Sequence, residues 1–126
     1  MVFNERSGET DETKMLLNEA MKAYHEKDFM NAQRKFATLN EIETDNNAYQ
    51  FYESLSLLGA NQSEKAIAEF KQILAQPYHL FLEQSKWYLG LAYLQNLDNA
   101  NAKSTFEAIQ KGQYKYQEAQ TILEHL

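Results

Sequence analysis

The chain of 126 residues has no cysteine, one proline and four glycines. The absence of cysteine excludes a disulfide framework, a thiolate metal site and a cysteine nucleophile. Proline and glycine are the residues that most often interrupt helices, and all-β folds depend on many turns built from them. Their scarcity therefore favours a helical chain with few interruptions.

Long apolar runs and basic clusters are also missing. No segment approaches the ~20 apolar residues of a membrane-spanning helix, and residues 1–14 lack the apolar core of a secretory signal. Lys and Arg total 12 against 18 Asp and Glu, so the net charge is −6, and the cations are scattered singly. Because this charge repels phosphate backbones, we expect no nucleic-acid partner. Because no apolar run is long enough, we also expect no direct membrane insertion of this segment.

The same observations bear on where the protein works. Taken as it stands, the sequence predicts a cytoplasmic protein. If it is a soluble piece of a longer chain with a signal or spanning segment upstream, we expect a periplasmic or membrane-attached protein instead.

Apolar residues are plentiful in spite of these absences. They make up 44% of the chain, and the aromatic residues include eight Tyr and seven Phe. This is too much apolar material for a disordered tail, and the length suits one domain with a single core.

An Ala-x3-Phe motif occurs three times at a nearly constant spacing. It lies at Ala32/Phe36, Ala66/Phe70 and Ala102/Phe106, with 34 residues from Ala32 to Ala66 and 36 from Ala66 to Ala102. A series of small residues upstream keeps the same spacing, at Ala20, Ser54 and Gly90. Two independent series at one period predict a helical repeat.

Each period predicts a pair of helices, because apolar residues recur at helical spacing on both sides of a short turn. We expect a polar extension at 1–10 followed by a single domain at 11–126. Its repeats fall at about 11–43, 44–78 and 79–112, and one more amphipathic helix follows at 113–126. This gives seven helices and no strands, an all-α fold.

Candidate caps and terminators mark the helix ends. We expect Thr44 or Asp45 to cap the third helix and Asp28, Ser63 and Asp98 to cap the second helix of each pair. Gly59, Pro77 and Gly112 are the expected stops. Small residues at 20, 54 and 90 should face Ala32, Ala66 and Ala102, so that paired helices approach closely.

These motifs resemble the tetratricopeptide repeat family. Leu89-Gly90-x2-Tyr93 followed by Ala102-x3-Phe106 matches the family signature best. The resemblance implies a right-handed α–α superhelix of three helix pairs with a C-terminal capping helix. It also implies a non-catalytic module that binds a peptide or helix of a partner protein in an apolar concave groove. Small repeat proteins of Gram-negative bacteria are similar in style.

The implied groove lies on the first helix of each pair, and its positions share i, i+4, i+7 spacing. They are Leu17, Met21 and Tyr24, then Phe51, Leu55 and Leu58, then Trp87, Leu91 and Leu94. We expect Trp87 and Phe51 to be anchors. The alternative is a structural or assembly domain whose groove is filled by its own side chains or buried in a homodimer.

Chemical motifs are absent from the sequence. There is no Gly-rich phosphate loop and no nucleophile elbow, so we expect no enzyme and no cofactor. His25, His79 and His125 have no second ligand at helical or turn spacing, so we expect no metal site. The three histidines are predicted to be exposed residues at helix ends.

Overall fold

A computed structural model of the chain describes residues 10–126. That part contains seven helices and no strand, which confirms the all-α prediction. The helices are α1 (Asp11–His25), α2 (Phe29–Ile42), α3 (Asn47–Gly59), α4 (Ser63–Leu74), α5 (Leu82–Gln95), α6 (Asn99–Glu107) and α7 (Tyr116–Leu123). No helix within it is long and apolar enough to cross a membrane. Of the predicted polar extension at 1–10, residues 1–9 lie outside the described part of the chain.

The chain divides into two compact units, with the boundary between Ala60 and Asn61. The first unit contains α1 to α3 and the second contains α4 to α7. The boundary falls inside the predicted second repeat, 44–78. The division into three repeats within one domain stays a prediction.

The turns that follow α1, α3 and α5 contain the same unusual backbone conformation. Lys27, Asn61 and Leu97 have φ values of 64°, 60° and 61°, in the left-handed region. They are separated by 34 residues and then by 36, the spacing of the Ala-x3-Phe motif. The recurring sequence period is therefore accompanied by a recurring turn.

Hydrogen bonds show how these turns end a helix. The N–H of Asp28 donates to Ala23 O at 2.8 Å, and the N–H of Asp98 donates to Tyr93 O at 2.9 Å. A bond of this span across a left-handed residue is the Schellman arrangement. Glycine usually occupies the left-handed position because it has no Cβ, but this chain uses lysine, asparagine and leucine there.

The predicted caps are correct in part. Asp98 caps α6, since its carboxylate accepts the N–H of Asn101 at 3.1 Å, and the hydrogen bonds from Asn101 lower the pKa of Asp98. Asp28 occupies the N-cap of α2 without a side-chain bond. Ser63 is the first residue of α4 rather than its cap, and its hydroxyl donates to Asn96 Oδ1 at 3.0 Å.

The cap predicted for α3 is wrong. Asn46 takes this position instead of Thr44 or Asp45, and its Oδ1 accepts the N–H of Ala48 at 3.0 Å. A side-chain amide oxygen that bonds the N–H two residues ahead forms an Asx turn, which fixes where the helix begins. Gly59 does end α3 as expected.

The core of the first unit lies between the helices that pack against each other, α1 with α2 and α2 with α3. Its buried members are Ala20, Ala23, Ala32, Phe36, Leu39 and Tyr49. Phe36 is fully buried and stacks on Tyr52, with ring centroids 5.5 Å apart. Alanine at three of these positions lets the helices approach while phenylalanine fills the space beside them.

The second unit has a corresponding core made by Ala102, Phe106, Ile109 and Ala119. Gly90 of α5 meets the Phe106 ring, where a Cβ would lie only 2.4 Å from the nearest ring carbon. The small residue therefore makes room for phenylalanine. α6 ends at Glu107, so Gly112 does not end it and instead lies in the connection to α7 with φ of 91°.

Candidate partner-binding surface

The first three predicted groove residues lie on α1 and are half-buried. Leu17, Met21 and Tyr24 all pack against the core of the first unit. The Tyr24 ring meets Tyr52 edge-on at 5.3 Å. Burial raises the pKa of the Tyr24 hydroxyl, and Tyr52 raises it further. These side chains thus contribute to the core and still expose part of their surface.

The next three residues, on α3, differ among themselves. Phe51 is buried, with its ring edge-on to Tyr52 at 6.0 Å, while Leu55 and Leu58 are half-buried. The two leucines therefore offer more accessible apolar surface than Phe51, although the sequence pattern favours Phe51 as an anchor.

The last three residues lie on α5 in the second unit. Trp87, Leu91 and Leu94 are half-buried and pack against the core around Phe106. The Trp87 ring is tilted against Phe106, with centroids 5.5 Å apart. Each unit thus carries a half-exposed apolar face of its own, and the groove that would use these faces stays a prediction.

The structure also describes a cleft of about 570 Å³ at the start of α1. Met15 and Ile42 are exposed large apolar residues in its lining, and Glu12 and Glu19 supply carboxylates. The Glu19 carboxylate pairs with Lys35 at 3.5 Å. Apolar surface is therefore also accessible outside the predicted groove positions.

His79 is placed differently from its prediction. His25 and His125 are exposed as expected, but His79 is only 8% exposed. Its Nδ1 accepts the N–H of Phe81 at 3.0 Å, and the two rings lie edge-on at 5.9 Å. The imidazole thus accepts an N–H two residues ahead, as the side chain of an Asx turn does. This hydrogen bond helps to fix the connection before α5.

The electrostatics of His79 follow from this geometry. Burial lowers the pKa of the imidazole, because the charged form loses its hydration. A neutral ring that accepts a hydrogen bond at Nδ1 carries its proton on Nε2. Nε2 is buried and has no hydrogen-bond partner among residues 10–126.

A second cleft, of about 540 Å³, adjoins His79. Its apolar lining comes from Leu74, Leu80 and Leu82, and its polar lining includes Glu83, Lys86 and Gln113. Apolar periodicity gives no signal for this cleft, because Leu80 lies in the connection before α5 rather than on a helix. In the structure α5 begins two residues later, at Leu82.

We expect the stability of the chain to decrease as pH falls below 6.5, the ordinary pKa of histidine. The unfolded chain protonates His79 near that pH, whereas the folded chain resists protonation because the pKa of the buried ring is lowered. The contribution of His79 is therefore fully present above pH 6.5 and is lost as pH falls toward the lowered pKa. Urea unfolding followed by circular dichroism on both sides of pH 6.5 measures it.

Two variants make the origin of this pH dependence clear. His79→Asn keeps an acceptor for the Phe81 N–H and removes the titrating group, so its loss of stability in acid should be smaller. His25→Gln changes an exposed histidine and should behave like the wild type. Equal acid sensitivity in His79→Asn and the wild type would contradict the prediction.

Within residues 10–126, no group of three or more His, Asp or Glu side chains is placed to hold a metal ion. No family model matches the chain, and no curated protein matches it.

Proposed function

We propose that the chain is a non-catalytic protein-interaction module of the tetratricopeptide type. In this proposal three helix pairs form a right-handed α–α superhelix, α7 caps it, and a peptide or helix of a partner binds the apolar faces of α1, α3 and α5. The observation that carries the proposal is the left-handed turn at Lys27, Asn61 and Leu97, which follows the period of the Ala-x3-Phe motif. Stacked helix pairs bury their apolar faces on one another and commonly present a binding surface.

The surfaces themselves support a binding role. Leu55, Leu58, Leu91 and Leu94 are half-buried leucines on α3 and α5. Such side chains can bury further apolar area against a partner, which is the main favourable contribution to most associations.

A second candidate function is a structural or assembly domain. Leu17, Met21 and Tyr24 pack on their own core, which favours a face that is already filled. Sedimentation of the pure chain, with and without peptide, tests whether the groove is buried in a homodimer. A stable homodimer that excludes the peptide would favour assembly, because its interface would then cover the groove.

A pair of leucine variants tests the proposed groove. Peptides selected from a phage-displayed library against the pure chain are titrated by fluorescence anisotropy. Leu55→Glu places a charge on the proposed surface and should weaken binding about tenfold or more, since ~1.4 kcal/mol corresponds to a factor of ten. Leu97→Glu is the matched control, because Leu97 lies in a turn and is 89% exposed.

The result has two readings. If only Leu55→Glu loses peptide affinity, and its circular dichroism spectrum is unchanged, the result supports the groove. Equal affinity of both variants and the wild type would show that the peptides bind elsewhere.

A further inference from the structure

The connection between α4 and α5 presents two large apolar side chains to solvent. Tyr78 is 89% exposed and Leu80 is 80% exposed. Exposed apolar residues that stand close together are more informative than single ones, because they mark interaction sites when they form a patch. Tyrosine is also among the residues that contribute most to binding energy in protein interfaces.

A buried side chain and its hydrogen bond stabilise this connection. His79 lies between the two exposed residues and is itself buried, with Nδ1 bonded to the Phe81 N–H. Pro77 lies in the same connection, and its ring fixes its own φ. A surface that is ordered before binding loses less conformational entropy when a partner arrives. The loop therefore has the properties of a prepared contact surface rather than of a flexible linker.

The cleft beside Leu80 combines apolar lining with hydrogen-bonding groups of both kinds. Leu74 and Leu82 are half-buried in it. The Lys86 ammonium donates to Gln113 Oε1 at 3.1 Å and to Ala108 O at 3.5 Å, and Glu83 Oε1 accepts the N–H of Tyr114 at 3.0 Å. An ammonium has three donors and a carboxylate about four acceptor sites, so both groups retain capacity.

This combination selects among possible occupants. Glu83 and Lys86 carry opposite charges, so the cleft does not favour a ligand of one charge. A helix satisfies its own backbone groups, whereas an extended peptide presents free N–H and C=O groups that need partners. A cleft with both a donor and an acceptor beside apolar side chains therefore suits an uncharged extended peptide better than a helix.

We propose that residues 77–81 and the adjoining cleft form a docking surface for an extended, uncharged peptide segment of a partner protein. An apolar side chain of the peptide enters the cleft against Leu74 and Leu82, and its backbone bonds to Lys86 and Glu83. Tyr78 and Leu80 provide the exposed contact surface. This surface contains none of the predicted groove residues, although Leu82, Glu83 and Lys86 lie at the start of α5. It does not depend on the role of the groove.

The test uses the full chain and random linear peptides displayed on phage. Selected peptides are synthesised and titrated by fluorescence anisotropy against Leu80→Asp and Leu97→Asp, two variants of strongly exposed leucines. We expect Leu80→Asp to weaken binding at least tenfold and Leu97→Asp to leave it unchanged. Because both side chains are exposed, neither variant should alter the circular dichroism spectrum.

Two further measurements address the mode of binding. A selected peptide with a methyl group on one backbone nitrogen loses a donor and should bind several-fold more weakly. His79→Ala removes the acceptor that orders the loop and should weaken binding, while His79→Asn retains an acceptor and should bind nearly as the wild type does.

The outcomes separate this proposal from the groove. Peptides that lose affinity with Leu80→Asp and not with Leu55→Glu support the docking surface, even if no peptide binds the groove. Peptides that respond to Leu55→Glu alone overturn it and leave the groove standing. Absence of any selected peptide, equal loss in both aspartate variants, or a homodimer that Leu80→Asp dissociates would also overturn it.

Discussion

Replacement of Phe36 by alanine is expected to lower the free energy of unfolding by about 3–5 kcal/mol. The ring is fully buried, stacks on Tyr52 and lies among the alanines that bring α1 and α2 together. Its removal costs the transfer energy of the ring and leaves a cavity that helix backbones cannot easily close. Since native proteins are stable by only about 5–15 kcal/mol, this is a large part of the total.

The measurement is urea unfolding of the wild type and variant followed by circular dichroism. Phe29→Ala is the matched control, because Phe29 is half-buried at the start of α2 and meets Tyr24 edge-on at 5.6 Å. Phe29→Ala should lower the free energy of unfolding distinctly less than Phe36→Ala does. Similar losses at both positions would show that burial at position 36 does not have the predicted importance.

Replacement of Gly90 by alanine is expected to destabilise the chain by about 1–3 kcal/mol. Helix propensity alone predicts the opposite, because alanine in a helix interior is favoured over glycine by about 1 kcal/mol. The Phe106 ring decides the sign. A Cβ at position 90 would lie 2.4 Å from the ring, and the ring is fully buried and has little room to move.

A double-mutant cycle tests this steric cause. Phe106→Leu is destabilising by itself, but it removes the ring that the new Cβ would meet. We therefore expect Gly90→Ala to cost less in the Phe106→Leu background than in the wild type, with a coupling energy of about 1 kcal/mol or more. Additive effects would show that alanine at position 90 acts through something other than the ring.

Much of the helical framework is predictable from the sequence because it depends on local patterns. The Ala-x3-Phe period and the apolar spacing place all seven helices, and Gly59 correctly marks the end of α3. The exact helix ends are less predictable, because neighbouring polar residues compete to cap the same helix. Asn46 displaces Thr44 and Asp45 as the cap of α3, since its amide oxygen reaches the N–H of Ala48.

Other features could not be predicted because they arise from tertiary packing. Helical spacing is the same for a residue that lines a groove and one that fills a core, so it does not distinguish buried Phe51 from half-buried Leu55. The burial of His79 depends on the path of the chain before α5. The donor and acceptor groups of the adjoining cleft come from residues as far apart as Glu83 and Gln113.

The position of Trp87 has a spectroscopic consequence. It is the chain's single tryptophan, and it lies in the second unit, in contact with Phe106. Its emission therefore reports the environment of α5 and α6, whereas ellipticity averages over helices of both units. Coincident unfolding curves from the two signals would show one cooperative transition, and separate curves would show that the units lose their structure independently.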